Sequence, residues 1–255
     1  MTASTPHGRV ERYLNERLEK GPVHFTLIDP DKSPGATAAE IARGAVDLGS
    51  HVILLGGSTG ISRDGMGDAA AAIKAEVDVP VVIFPEGSGS LTPNADAVLF
   101  MSLLNSRNLD LVIRTHARAA PVVRKMGLEP IPLGYLVVAP GMRVGEVGQV
   151  DAVPRDDPEG AAGYALAAEF LGMRFIYLEA GSGAPAPVPT PMVRAVRSVL
   201  SIPLVVGGGI RGGPEARELL AAGAQLLVTG TVTEETGLGS GFREILEEVR
   251  RARGD

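Results

Sequence analysis

"FIYLEAGSG", residues 175–183, carries an apolar run directly into an acid and a glycine-rich turn. Phe175, Ile176, Tyr177 and Leu178 do not alternate apolar with polar. A continuous apolar run marks a strand buried on both faces, as in a parallel sheet covered by helices. This strand ends on Glu179, then Gly181, Ser182 and Gly183. A carboxylate there suits proton transfer or a metal. A glycine turn suits an anion, because backbone N–H groups can approach it closely. Together they point to a hydroxyl-bearing phosphate compound.

The same kind of run recurs at 24–29, 51–57, 79–86, 97–105, 131–138, 203–209 and 225–231, which with 175–181 makes eight. Helical patterns lie between many of them. "DPEGAAGYALAAEFLG" (157–172) opens on Asp and Pro and closes on Gly, the usual start and stop signals of a helix. Residues 37–49, 213–223 and 240–253 read likewise. Eight parallel strands with crossover helices in 255 residues predict an α/β fold, a TIM (β/α)8 barrel formed as a single domain over 1–255. The segment 87–96, "GSGSLTPNAD", is too short and too rich in breakers for a helix. The helix between strands 3 and 4 is therefore expected to be missing or replaced, leaving a groove on the barrel side. Residues 139–157 are expected to form a loop over the mouth.

Composition narrows the function. The net charge of −6 has no dense basic block, which argues against nucleic acid. With no cysteine, thiolate chemistry and disulfides are excluded. The polar first twenty residues have no apolar signal core and no run reaches membrane-span length, so a cytoplasmic protein is expected.

In a barrel of this kind the chemistry sits at the C-terminal ends of the strands. Those ends carry Asp29 and Asp31, Ser58 and Thr59, Glu179 with Ser182 and Gly183, Gly207 to Gly209, and Gly230 with Thr231. The last three read as a phosphate cup, with a helix starting near Pro214 to add its dipole. Three glycines could also simply make a tight turn. Asp29 with Ser58 suggests a hard cation held mainly by ligand phosphates; equally, "DPDK" is a turn in which Asp29 caps backbone amides. Glu179 suits a general base, with Tyr177 two residues earlier on the same side of the strand. The bland alternative is a salt bridge to Arg or Lys. Lys32 could neutralise a diphosphate or be a solvated turn residue. Asn105 could touch ligand or cap a helix. Of the histidines, His24 is expected to be structural and His116 to face outward.

"TLIDPDK", "LLGGSTG", "VLFMSLLNSRN", "PLGYLVVAPG", "YLEAGSGA", "VGGGIR" and "VTGT" occur here in that order. On these motifs the chain closely resembles the geranylgeranylglyceryl phosphate synthases, and more their second group than the group holding the bacterial heptaprenyl enzymes. It departs from the family pattern at Ala139, where a Glu is expected, and after Asn108. The resemblance implies an Mg2+-dependent prenyltransferase of ether phospholipid biosynthesis. It would join geranylgeranyl diphosphate to the C3 hydroxyl of sn-glycerol 1-phosphate and release diphosphate. It implies Mg2+ on Asp29 and Ser58. It also implies glycerol phosphate on Tyr177, Leu178, Glu179, Ala180, Gly181, Ser182, Gly183, Gly208, Gly209, Gly230 and Thr231, with Glu179 as base. A homo-oligomer with transient membrane contact is expected. The competing readings are another phosphate-binding barrel enzyme and a non-catalytic binder of phospholipid precursors.

Overall fold

The structure is a computed structural model and describes residues 8–57 and 63–254. Eight parallel strands close into a barrel in chain order. They are β1 (Val23–Ile28), β2 (Val52–Leu55), β3 (Val81–Ile83), β4 (Ala97–Leu103), β5 (Glu129–Val137), β6 (Phe175–Glu179), β7 (Leu204–Gly207) and β8 (Leu226–Thr229). β8 pairs back onto β1, with Val23 opposite Leu226 and Thr26 opposite Thr229. Each expected run overlaps one strand, though β1 and β5 begin one and two residues before the runs expected at 24–29 and 131–138. The helices are α1 (Arg9–Leu18), α2 (Ala36–Asp47), α3 (Arg63–Glu76), α4 (Thr115–Met126), α5 (Met142–Val147), α6 (Pro158–Phe170), α7 (Thr190–Val199), α8 (Gly213–Ala221), α9 (Thr231–Thr236) and α10 (Ser240–Arg253). Among the described residues no helix is long and apolar enough to cross a membrane.

The strands read as unbroken apolar runs because both faces are buried. In β6, Phe175 and Tyr177 point into the barrel with Phe25, Leu54, Leu99 and Val205. Ile176 and Leu178 point outward, against the helical layer that holds Val193, Leu219 and Phe242. At about 25 cal/mol per Å2 of apolar area removed from water, these two layers supply the main driving force. The N-terminal segment, which carries no strand pattern, becomes a plug. Val10 and Leu14 of α1 close the bottom of the barrel. The carboxylate of Glu129 caps this helix, accepting from the N–H groups of Val10 and Glu11 at 2.8 Å each. A carboxylate is well placed at the positive end of a helix.

Between β3 and β4 the helix is replaced by one 3-10 turn, Ser88–Ser90. A small apolar cluster of Ile83, Leu91, Val98, Ala119 and Val123 covers the gap. The expected mouth loop differs in one respect: it contains α5. Val144 of α5 packs on the barrel interior, and that tertiary contact makes a helix out of a stretch flanked by Pro140 and Gly148.

Candidate active site

A cavity of about 480 Å3 opens at the C-terminal ends of the strands. That volume lies in the usual range for a ligand pocket. One end is polar and glycine-rich, with Ser182, Gly208, Gly209, Gly230 and Thr231. The other runs under the missing helix and is apolar, with Phe84, Leu91, Val98, Phe100, Ala119 and Val123. Asp29, Lys32, Tyr135, Tyr177 and Glu179 line the stretch between.

Glu179 ends β6 as an inward-facing residue and is only 6% exposed. Its Oε1 accepts from the Gly181 N–H at 2.6 Å, and its Oε2 accepts from the Tyr135 hydroxyl at 3.1 Å. The Tyr177 hydroxyl also bonds to it. Burial pushes the Glu179 pKa above the ordinary carboxylate value, against the opposing pull of the Gly181 N–H and the two tyrosine hydroxyls. Burial and the neighbouring carboxylate hold both tyrosines well above 10, so both remain donors. Among the described residues no Lys or Arg pairs with Glu179, which removes the salt-bridge reading. Tyr135 was not singled out in the sequence. The β5–β6 register sets Tyr135 opposite Tyr177 and Val137 opposite Glu179, and the two rings meet edge-on at 4.8 Å. Its signal was a lone tyrosine among inward-facing aliphatics of "IPLGYLVV".

The glycines are required by close approach. Gly208 has φ +79, and a Cβ there would lie 2.4 Å from Glu179 Oε1. Gly181 has φ +104 and packs against Gly141 and Met142, so a Cβ would meet Met142 Cγ at 2.6 Å. The Thr231 hydroxyl ties the strand-six turn to α9, bonding Ser182 Oγ at 3.0 Å and the Gly183 N–H at 3.2 Å. Arg211 braces the same turn, donating to the carbonyl of Ala184 at 3.1 Å.

Several residues stand elsewhere than the sequence suggested. Leu178 and Ala180 are fully buried on the helical side, so their side chains turn away from the cavity by strand alternation. The start of α8 near Pro214 does not line the cavity; there the Gly213 N–H donates to Glu244 of α10 at 3.3 Å. The helix that starts beside the cup is the short α9. His116 does not face outward. It lines the cavity, its Nε2–H donating to the Met101 carbonyl at 2.6 Å, with its ring against Phe100. Asn105 neither caps a helix nor reaches the cavity. Its amide donates to the carbonyls of Val137 and Asp151 at 2.9 Å each, fastening β4 to β5 and the mouth loop. His24 is structural, buried between Ser50 and Thr229, with burial lowering its pKa to about 3.

Asp29 is 5% exposed at the edge of the cavity. Its Oδ1 accepts from the Asp31 N–H at 3.0 Å, the turn-capping contact. Its Oδ2 lies 3.8 Å from Lys32 Nζ, which pairs more closely with Glu234 at 2.6 Å. Ser58 and Thr59 lie outside the described residues.

A family model described as the PcrB family matches residues 12–249. The geranylgeranylglyceryl phosphate synthase of Pyrococcus horikoshii is 47% identical over 95% of this chain and 96% of its own. That of Methanothrix thermoacetophila is 51% identical over 90% of this chain and 91% of its own. The crystal structure of (S)-3-O-geranylgeranylglyceryl phosphate synthase from Thermoplasma acidophilum, in complex with its substrate sn-glycerol-1-phosphate, superposes with a TM-score of 0.91. It is 44% identical, covering 96% of this chain and all of that one.

Proposed function

The chain belongs to the PcrB family, and from that premise we propose that it is a geranylgeranylglyceryl phosphate synthase. It transfers the geranylgeranyl group of geranylgeranyl diphosphate to the C3 hydroxyl of sn-glycerol 1-phosphate. The observation that carries this reading is the place of Glu179, a buried carboxylate where a glycine-lined cup meets an apolar cavity. A small polar acceptor and a long apolar donor meet there.

The phosphate of glycerol phosphate lies against Ser182, Gly208, Gly209, Gly230 and Thr231. Its hydroxyl end reaches Glu179, and Tyr177 holds its orientation. Glu179 takes the proton of the C3 hydroxyl as that oxygen bonds to C1 of the prenyl group. The C1–O bond to diphosphate breaks, and the diphosphate leaves with the bonding pair. Three donors favour the ionised form of Glu179 while burial raises its pKa, which makes it a stronger base once deprotonated. The apolar stretch beneath the 3-10 turn takes the prenyl chain and excludes water from C1.

Mg2+ is part of the proposal. The donor set fits: Asp29 offers one buried carboxylate with Oδ2 outside the turn contact, and Mg2+ commonly takes one or two carboxylates, completing its shell with water and substrate phosphates. When bound, the ion offsets charge on the departing diphosphate. Ser58 is the second proposed ligand. Assembly as a homo-oligomer rests on the family likeness alone, and the cytoplasmic location rests on the sequence.

The test is product formation followed by mass spectrometry, with geranylgeranyl diphosphate and either sn-glycerol 1-phosphate or its 3-phosphate enantiomer. The expected result is a prenyl ether from the 1-phosphate only, lost on adding EDTA. No ether from either enantiomer overturns the reading.

A further inference from the structure

We propose that Lys32 takes the diphosphate group of the prenyl donor, and that Glu234 is the carboxylate it leaves to do so. The exchange sets how firmly the departing diphosphate is held. This rests on the prenyl-transfer reading and adds to it the side chain that grips the leaving group.

The order of the strands places Lys32 between the two ends of the cavity. The glycine cup is built on the loops after β6, β7 and β8, and the apolar stretch runs under the turn between β3 and β4. β1 pairs with β8 on one side and with β2 on the other. The loop after β1 therefore lies where the head of a prenyl chain meets the cup. That loop is a fixed turn. The Asp29 carbonyl accepts from the N–H groups of Lys32 at 3.2 Å and Ser33 at 2.9 Å, and Asp29 Oδ1 accepts from the Asp31 N–H. With the backbone held, only the long side chain of Lys32 has to move when its partner changes.

Cations are scarce in this cavity. Its charged lining is Asp29, Glu86, Glu179 and Glu234 against Lys32 and Arg143. Arg143 stands on α5, after β5, which is across the closed barrel from β1. Lys32 is thus the cation on the side where the leaving group departs. Its Nζ lies 2.6 Å from Glu234 Oε2 and 3.8 Å from Asp29 Oδ2, with the lysine side chain 51% exposed. An ion pair so open to water holds its partners weakly. A diphosphate carries more charge than one carboxylate and accepts charge-assisted hydrogen bonds from a lysine ammonium. Glu234 stays beside the cup after the exchange, because its N–H donates to the Gly230 carbonyl at 3.0 Å. From there it competes for Lys32 again and favours release of the product.

The experiment is calorimetry of the full chain with inorganic diphosphate, magnesium chloride being present throughout, together with KM for each substrate. Wild type is expected to bind diphosphate. Lys32→Ala is expected to bind it about tenfold more weakly and to raise KM for geranylgeranyl diphosphate by a similar factor. KM for glycerol phosphate should stay close to wild type, which also shows that the variant is folded. Lys32→Arg should restore most of the binding. Glu234→Gln is expected to bind diphosphate several-fold more tightly and to be inhibited more strongly by it as product. Lys74→Ala removes another carboxylate-paired lysine, away from the cavity, and should bind diphosphate like wild type. Lys32→Ala that binds diphosphate as wild type does, or that raises KM for glycerol phosphate instead, overturns the assignment. Glu234→Gln with unchanged or weaker diphosphate binding overturns the exchange. Wild type that transfers the prenyl group without binding inorganic diphosphate overturns this inference and leaves the enzyme reading standing. Absence of transfer by wild type overturns the enzyme reading itself.

Discussion

Replacing Tyr135 with Phe removes one hydroxyl and keeps the ring. In the wild type that hydroxyl donates to Glu179 Oε2 at 3.1 Å in a buried site. A hydrogen bond to a charged group contributes roughly 1.5–3 kcal/mol net. One pH unit corresponds to about 1.4 kcal/mol of preference between protonation states. The bond favours the ionised carboxylate, so its loss raises a Glu179 pKa that burial has already raised. The base works only when deprotonated, so kcat/KM rises with pH through that pKa. The acid limb of the profile is therefore expected to move to higher pH by roughly one to two units in Tyr135→Phe. Above the limb, the rate should recover towards wild type. The assay is kcat/KM for glycerol phosphate across pH, which reports on the free enzyme. An unmoved limb, or a rate lowered equally at every pH, would refute the claim that Tyr135 acts by holding Glu179 ionised.

Glu179→Gln is expected to keep glycerol phosphate binding by calorimetry while losing roughly 10^2–10^4-fold in turnover; a wild-type rate would end the general-base role. The same variant also tests the burial of the charge. A carboxyl whose folded pKa lies above its unfolded value costs stability as pH rises from the unfolded towards the folded pKa. The Tm of Glu179→Gln relative to wild type should therefore be higher at neutral pH than near pH 4, and an equal difference at both would contradict the raised pKa. Gly208→Ala places a Cβ 2.4 Å from Glu179 Oε1 at φ +79. With about 1–2 kcal/mol of left-handed backbone strain alone, a Tm lowered by several degrees and a raised KM for glycerol phosphate are expected; unchanged values for both would show that the turn has room. Leu14→Ala, in the plug at the opposite end of the barrel, should cost about 2–5 kcal/mol in denaturant unfolding with kcat unchanged.

The eight strands, the replaced third helix and most of the cavity's polar end were legible in the sequence for a local reason. Whether a residue run is buried on both faces, and whether glycine or a carboxylate follows it, is written within a few consecutive residues such as 175–183. A barrel then brings all such ends to one rim, so Asp29, Glu179, Gly208 and Thr231 meet without further information. What the run cannot state is who arrives from another strand or helix. Tyr135 reaches Glu179 through the β5–β6 register. Glu244 arrives from α10 to take the N–H that begins α8. His116 is turned inward by a bond to Met101 across the gap that the 3-10 turn leaves open. The sequence by itself determined the fold and the chemical character of its mouth, because periodicity and backbone freedom are local properties. Only the tertiary structure decided which donors hold the base and which histidine faces the cavity, because those contacts join residues tens of positions apart whose meeting depends on closure of the whole barrel.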